Sequence, residues 1–150
     1  MLKYTHTIEI DLPLDQVVAL WTDENLFSHW QDGFIEIDHL KGVPGADGSQ
    51  SKIIFMRSNK EMELMETVLK NNLPHEKVAR YVHTHMTNIQ TTRFESIDKG
   101  RTAYTSQVEY TEFNSFMPKI MAKFFPGIFR NQSLKWMEQF KKFAEKRSNE

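Results

Sequence analysis

A carboxylate and a guanidinium occupy two neighbouring alternating segments. Glu66 belongs to the series Met62, Leu64, Glu66, Val68, and Arg80 to the series Val78, Arg80, Val82. Between them, Asn71-Asn72-Leu73-Pro74-His75 reads as a turn. A turn centred on Leu73 sets Glu66 opposite Arg80, where unlike charges attract across one face of a sheet. If that face is inward, the pair lines a pocket and anchors the polar end of a ligand. If it is outward, the pair is a solvated cross-strand contact. A buried pair is costly to desolvate, so its use would be specificity more than stability. An inward Arg80 would favour ligands carrying a carboxylate or another acceptor.

A second set lies on two later segments. Ile97-Asp98-Lys99-Gly100-Arg101 suits a three-residue hairpin loop with Gly100 at the left-handed position. That loop sets Phe94 beside Tyr104, Thr92 beside Ser106 and Gln90 beside Val108. One face then carries Asn88, Gln90, Thr92, Tyr104, Ser106 and Tyr110. Turned inward, Gln90 and Tyr104 would give an apolar cavity a few converging hydrogen-bonding groups. Turned outward, they are ordinary sheet-surface residues.

The histidines are weaker signals. His83 and His85 share one strand face at a spacing metals use, opposite Glu63 and Glu61. An exposed charge ladder explains them as well, and no metal site is assigned. His6 lies on the apolar face of the first strand as a core histidine, and is the best general base if one exists. His29 and Trp30 would pack a short helix on the sheet. No nucleophile elbow, phosphate loop or dinucleotide fingerprint is present, so no cofactor is expected.

These residues need elements to hold them. Tyr4, His6, Ile8 and Ile10 alternate with Thr5, Thr7, Glu9 and Asp11, the period of a half-buried strand. Pro13 closes it. Leu14 to Trp21 and Leu26 to Trp30 read as two short helices. Strands are expected at Phe34 to Lys41, Ser51 to Ser58, Glu61 to Lys70, Lys77 to Met86, Asn88 to Ile97 and Arg101 to Thr111, joined by short connections as an antiparallel meander. Phe129, Ser133, Trp136, Phe140 and Phe143 then recur at helical steps. Pro126-Gly127 divides this last region into a short leading helix and a main one. The leading stretch, Phe116 to Pro126, is apolar with interspersed lysines. It reads as packing over the sheet's end, as a gate over the pocket, or as a contact with a membrane or partner.

Composition sets the outer bounds. A chain of 150 residues, 39% hydrophobic and 26% charged, reads as one globular domain spanning 1–150. Eleven Phe, three Trp and eight Met supply a dense core or an apolar pocket. A formal net charge of -1 gives no electrostatic case for nucleic acid. The absence of cysteine removes disulfides, thiolate zinc sites and a cysteine nucleophile. No signal-peptide run or membrane-spanning window is seen, so a cytoplasmic protein without stable membrane insertion is expected. Oligomeric state is left open.

The order of strand, two short helices, six strands and a long helix resembles the START/Bet v 1-like superfamily, also called SRPBCC or helix-grip proteins. Ile8-Glu9-Ile10-Asp11-Leu12-Pro13-Leu14-Asp15-Gln16-Val17 is similar to that family's strand, proline and first helix. Leu20-Trp21-Thr22-Asp23, Trp30, the loop Gly45-Ala46-Asp47-Gly48 and the closing helix from Met117 to Lys146 add to the likeness. The resemblance extends to the polyketide cyclase/dehydrase-like group, with no subfamily assigned. It implies an α+β fold, a curved antiparallel sheet of about seven strands round the C-terminal helix, with a pocket between them. The expected function is binding of a small hydrophobic or amphipathic molecule, lipid-like or polyketide-like. Phe124, Phe129, Trp136 and Phe140 would form the apolar wall, and Glu66, Arg80, Gln90 and Tyr104 would orient the polar end. The alternatives are a cyclase or aromatase using the same cavity, and a co-chaperone-like partner-binding module. The second needs a titratable group inside the pocket, with Glu66 and His6 as candidates, and the third an exposed apolar patch and a filled interior.

Overall fold

A computed structural model describes residues 2–124 and 126–148, with the side chains of Phe124 and Pro126 outside the description. β1 (Leu2–Ile10) leads to α1 (Leu14–Thr22), a single 3-10 turn (Glu24–Leu26) and α2 (Phe27–Trp30). Six strands follow: β2 (Phe34–Lys41), β3 (Gln50–Arg57), β4 (Lys60–Asn72), β5 (Glu76–Val82), β6 (Met86–Asp98) and β7 (Arg101–Phe113). Two helices end the chain, α3 (Phe116–Phe124) and α4 (Pro126–Ser148). No helix among the described residues is long and apolar enough to cross a membrane.

The strands form one curved antiparallel sheet in the order β1-β7-β6-β5-β4-β3-β2. β2 to β7 are a meander, and β1 joins β7 on the far side. The sheet does not close on itself, so β1 and β2 are its edges. The α+β helix-grip architecture expected from the sequence is the one observed.

Turn chemistry fixes the junctions. Gly33 has φ +83°, and a Cβ there would meet the carbonyl oxygen of Met56 at 2.3 Å. Only glycine lets β2 enter so close to β3. The loop between β2 and β3 is pinned to β4. Asn71 donates from its side chain to the Gly45 carbonyl at 2.7 Å and from its backbone to Asp47 at 2.8 Å.

The β6–β7 pairing is the one read from the sequence: Gln90 with Val108, Thr92 with Ser106, Phe94 with Tyr104. The turn itself is different. Asp98 pairs with Arg101 after a register shift, and Gly100 has no positive φ. The Asp98 carboxylate replaces the left-handed glycine as the organiser. It accepts from the Gly100 backbone at 2.9 Å and from Arg101 Nε at 2.9 Å. Those two donors hold its carboxyl below the usual range.

Helix α4 has two unlike halves. Met137, Phe140 and Ala144 are fully buried against Ile10, Val17, Trp30 and Tyr104. Here α1, α2 and the sheet close round the helix into a packed core. Trp30 meets Phe140 edge-on at 5.0 Å. His29 stacks on Phe143 of α4 at 5.5 Å, so this pair docks α2 chiefly on the helix, not on the sheet as expected. The other half, from Ile128 to Trp136, faces a hollow.

Candidate functional site

A cavity of about 630 Å³ lies between the sheet's concave face and the first half of α4. Its size is that of an ordinary small-molecule site. Ile53, Phe55, Leu64 and Val108 supply the apolar sheet wall, and Phe129 and Trp136 face them from α4. Phe55 stacks on Trp136 with ring centroids 5.5 Å apart.

The alternation of each strand places a polar residue at the same level of this wall. Register runs from His39 to Ser51, Glu66, Tyr81, Asn88 and Tyr110, one from each of β2 to β7. Five of the six line the cavity, and Ser51 is buried between His39 and Glu66. Two hydrogen-bonded units make up most of this row. The first is Glu24–His39–Ser51: His39 Nε2 meets Glu24 Oε1 at 2.6 Å, and Nδ1 meets Ser51 Oγ at 2.7 Å. The second is Tyr81 donating to Glu66 Oε2 at 2.7 Å. Burial, and the Glu66 carboxylate beside it, push the Tyr81 hydroxyl well above the usual phenol range. It therefore stays protonated and keeps donating.

This register overturns the Glu66–Arg80 pair. Glu66 stands opposite Tyr81, and Arg80 stands opposite Thr67. Arg80 is exposed on the other face of the sheet and does not reach the cavity. The turn centres on Pro74 and not on Leu73, since Asn72 pairs with Glu76, and a bulge between Val68 and Lys70 then shifts the β4–β5 pairing by one residue, which puts Glu66 and Arg80 on opposite faces. One residue of register exchanges the faces of a strand.

Of the other residues read from the sequence, Gln90, Tyr104, Phe129 and Trp136 line the cavity with Glu66. Gln90 lies 3.4 Å from Ser106 Oγ. Tyr104 accepts from Trp21 Nε1 at 3.3 Å, and burial pushes its hydroxyl up to about 12. Phe140 does not line the cavity, because it belongs to the packed half of α4. The Phe124 side chain lies outside the described residues.

His6 is half-exposed and meets the Arg130 carbonyl at 3.2 Å, so it is neither a core histidine nor a cavity base. His83 and His85 lie beyond the end of β5, and Glu61 and Glu63 pair with β3 instead. His83 borders the cavity, and burial and the nearby His85 lower its pKa. Phe116 and Met117 of α3 are exposed, and no described α3 side chain borders the cavity. Ile128, at the start of α4, does.

Sequence reasoning missed Arg57, Gln132 and Tyr81. The Arg57 guanidinium lies over the Trp136 ring at 5.5 Å. With its amide oxygen turned toward them, Gln132 accepts from Trp136 Nε1 at 2.9 Å and Arg57 at 3.2 Å. Arg57 follows Ile53 and Phe55 in the same alternation, and that period was the available signal. Among the described residues, the buried Trp30 Nε1 donor has no hydrogen-bond partner.

No family model matches the chain, and no curated protein matches it in sequence. Solved structures do match in fold. The Zhui aromatase/cyclase from Streptomyces sp. R1128 superposes with a TM-score of 0.77 at 12% identity, covering 97% of this chain and 94% of that one. A START superfamily protein from Mycobacterium smegmatis gives 0.72 at 10% identity, over 97% and 95% of the two chains. Ara h 8.0201 gives 0.69 at 9% identity, over 95% and 96%. Identities this low carry the backbone architecture and leave the cavity's contents to its own residues. Sheet order, the two early helices, the long closing helix and these superpositions together establish that the chain has the START/Bet v 1-like, SRPBCC helix-grip fold.

Proposed function

We propose that this chain binds a small amphipathic molecule in the cavity between its sheet and the first half of α4. The observation that carries the reading is the hollow itself, about 630 Å³ with aromatic and aliphatic walls and one polar row. A packed interior would have extended the Met137–Phe140–Ala144 contacts along the whole helix. Affinity would come mainly from apolar burial, about 25 cal/mol per Å² before ordering costs. Native mass spectrometry of freshly purified protein, followed by denaturing extraction, tests this. A co-purifying species of defined mass is the expected result. A protein that arrives empty and takes up no hydrophobic probe would end the reading.

One observation favours catalysis as the second reading. Tyr81 and Glu66 place a phenolic proton and a carboxylate together inside the cavity, and such pairs can move protons in a cyclase or aromatase. A reactive polyketone that cyclises faster with the protein than without it, and no faster with the Glu66→Gln variant, would support this. The partner-binding reading requires a filled interior, and the cavity speaks against it.

A further inference from the structure

The polar row gives the cavity a preferred hydrogen-bonding sense. Glu66 is only 9% exposed and lines the cavity. Tyr81 occupies Oε2, and among the described residues Oε1 has no protein donor. No lysine, arginine or histidine among the described residues forms an ion pair with it. Buried carboxylates are normally paired or fully hydrogen-bonded, because an unsatisfied one is costly.

Of the basic groups that line the cavity, His83 has its pKa lowered by burial and by the nearby His85, which disfavours its charged form, and the other three are committed elsewhere. Arg57 is held by Gln132 and Trp136, up to about 20 Å along β3 from the Ser51 that neighbours Glu66, at about 3.3 Å per residue. Lys77 sits over the Trp21 ring at 5.5 Å. The neighbouring His39 is engaged on both nitrogens.

We propose that Glu66 Oε1, held in place by Tyr81, is a subsite for a hydrogen-bond donor on the ligand, a hydroxyl or a protonated amine at the polar end of an apolar body. The proposal rests on the cavity being a binding site. It reverses the preference that an inward Arg80 would have imposed, since a ligand carboxylate would meet Glu66 as a like charge.

Four matched fluorescent probes test it: pyrenebutanol, its methyl ether, pyrenebutylamine and pyrenebutyrate. The ether accepts but cannot donate. Fluorescence titration of the wild-type protein should show the alcohol or the amine binding about tenfold or more tighter than the ether, the effect of one hydrogen bond to a charged acceptor. The amine and the alcohol, compared directly, distinguish a cationic donor from a neutral one. In Glu66→Gln, with folding checked by circular dichroism, the gap should shrink to about twofold or less. Glu66→Asp keeps a carboxylate one methylene further back and should narrow the gap without closing it, which gives a second reading if Glu66→Gln fails to fold.

Equal binding of alcohol, amine and ether by the wild type, or tighter binding of pyrenebutyrate than of both donors, would overturn the donor subsite and leave the cavity reading standing. So would a preference that survives Glu66→Gln. If none of the four probes binds, the cavity reading falls and the subsite with it.

Discussion

Tyr81 holds Glu66, a buried carboxylate of the cavity, and its removal should be felt in stability. Tyr81→Phe deletes the donor to Glu66 Oε2 and leaves a buried acceptor unpaired. The expected loss is about 1–3 kcal/mol, read from the urea midpoint. Arg80→Met is the matched control. An exposed side chain on the outer face should change stability by less than about 0.5 kcal/mol and leave probe affinity unchanged. The tyrosines make a second prediction. Tyr4, Tyr81, Tyr104 and Tyr110 are all raised, each chiefly by burial. In the unfolded chain they ionise near pH 10, the ordinary phenol value. The folded protein keeps its protons there, so the unfolded state binds fewer and stability falls as pH rises above about 10. Absorbance at 295 nm should therefore stay low until the protein unfolds, then rise in one step. Phenolate appearing in the folded state near pH 10 would contradict the buried placement.

At the scale of elements, α4 divides the molecule's labour. Phe140→Ala opens a hole in the packed half and should cost about 3–5 kcal/mol. Trp136→Ala, in the half that faces the hollow, should cost less stability and weaken probe binding more. Comparing urea midpoints with fluorescence titrations separates the two. Gly33→Ala puts a Cβ into the Met56 carbonyl at a positive φ, and should destabilise the β2–β3 junction by several kcal/mol. The elements themselves were legible in the sequence, because alternation and helical spacing are written in residue types. Phe129, Ser133 and Trp136 of the helical stripe border the cavity. What the stripe could not say is where α1 and α2 end their coverage, so Phe140 was read as cavity wall. The Glu66–Arg80 reading failed for a different reason. The bulge between Val68 and Lys70 carries no glycine or proline to announce it, yet it sets which face Arg80 takes. The polar row was equally hidden, since it exists only when six strands are in register. By contrast, the β6–β7 register was right although the glycine turn assumed for it was not, because Asp98 closes the same hairpin by other means.

At the scale of the whole molecule, the fold concentrates packing at one end and leaves the other hollow, which suits a scaffold that keeps its shape with or without an occupant. The open sheet has a further cost. β2 pairs only with β3, so its other side offers unpaired backbone groups to any passing strand. Its side chains would not prevent this alone, since Ile35 and Leu40 are exposed. Two register shifts, between Phe34 and Glu36 and between His39 and Lys41, interrupt its ladder with β3, and Glu36, Asp38 and Lys41 put charge along the rim. Such irregular, charged borders are how sheets resist joining edge to edge. Replacing Glu36 and Asp38 with Thr should leave folding intact and make sedimentation depend on concentration, turning a solitary rim into a seam for fibres.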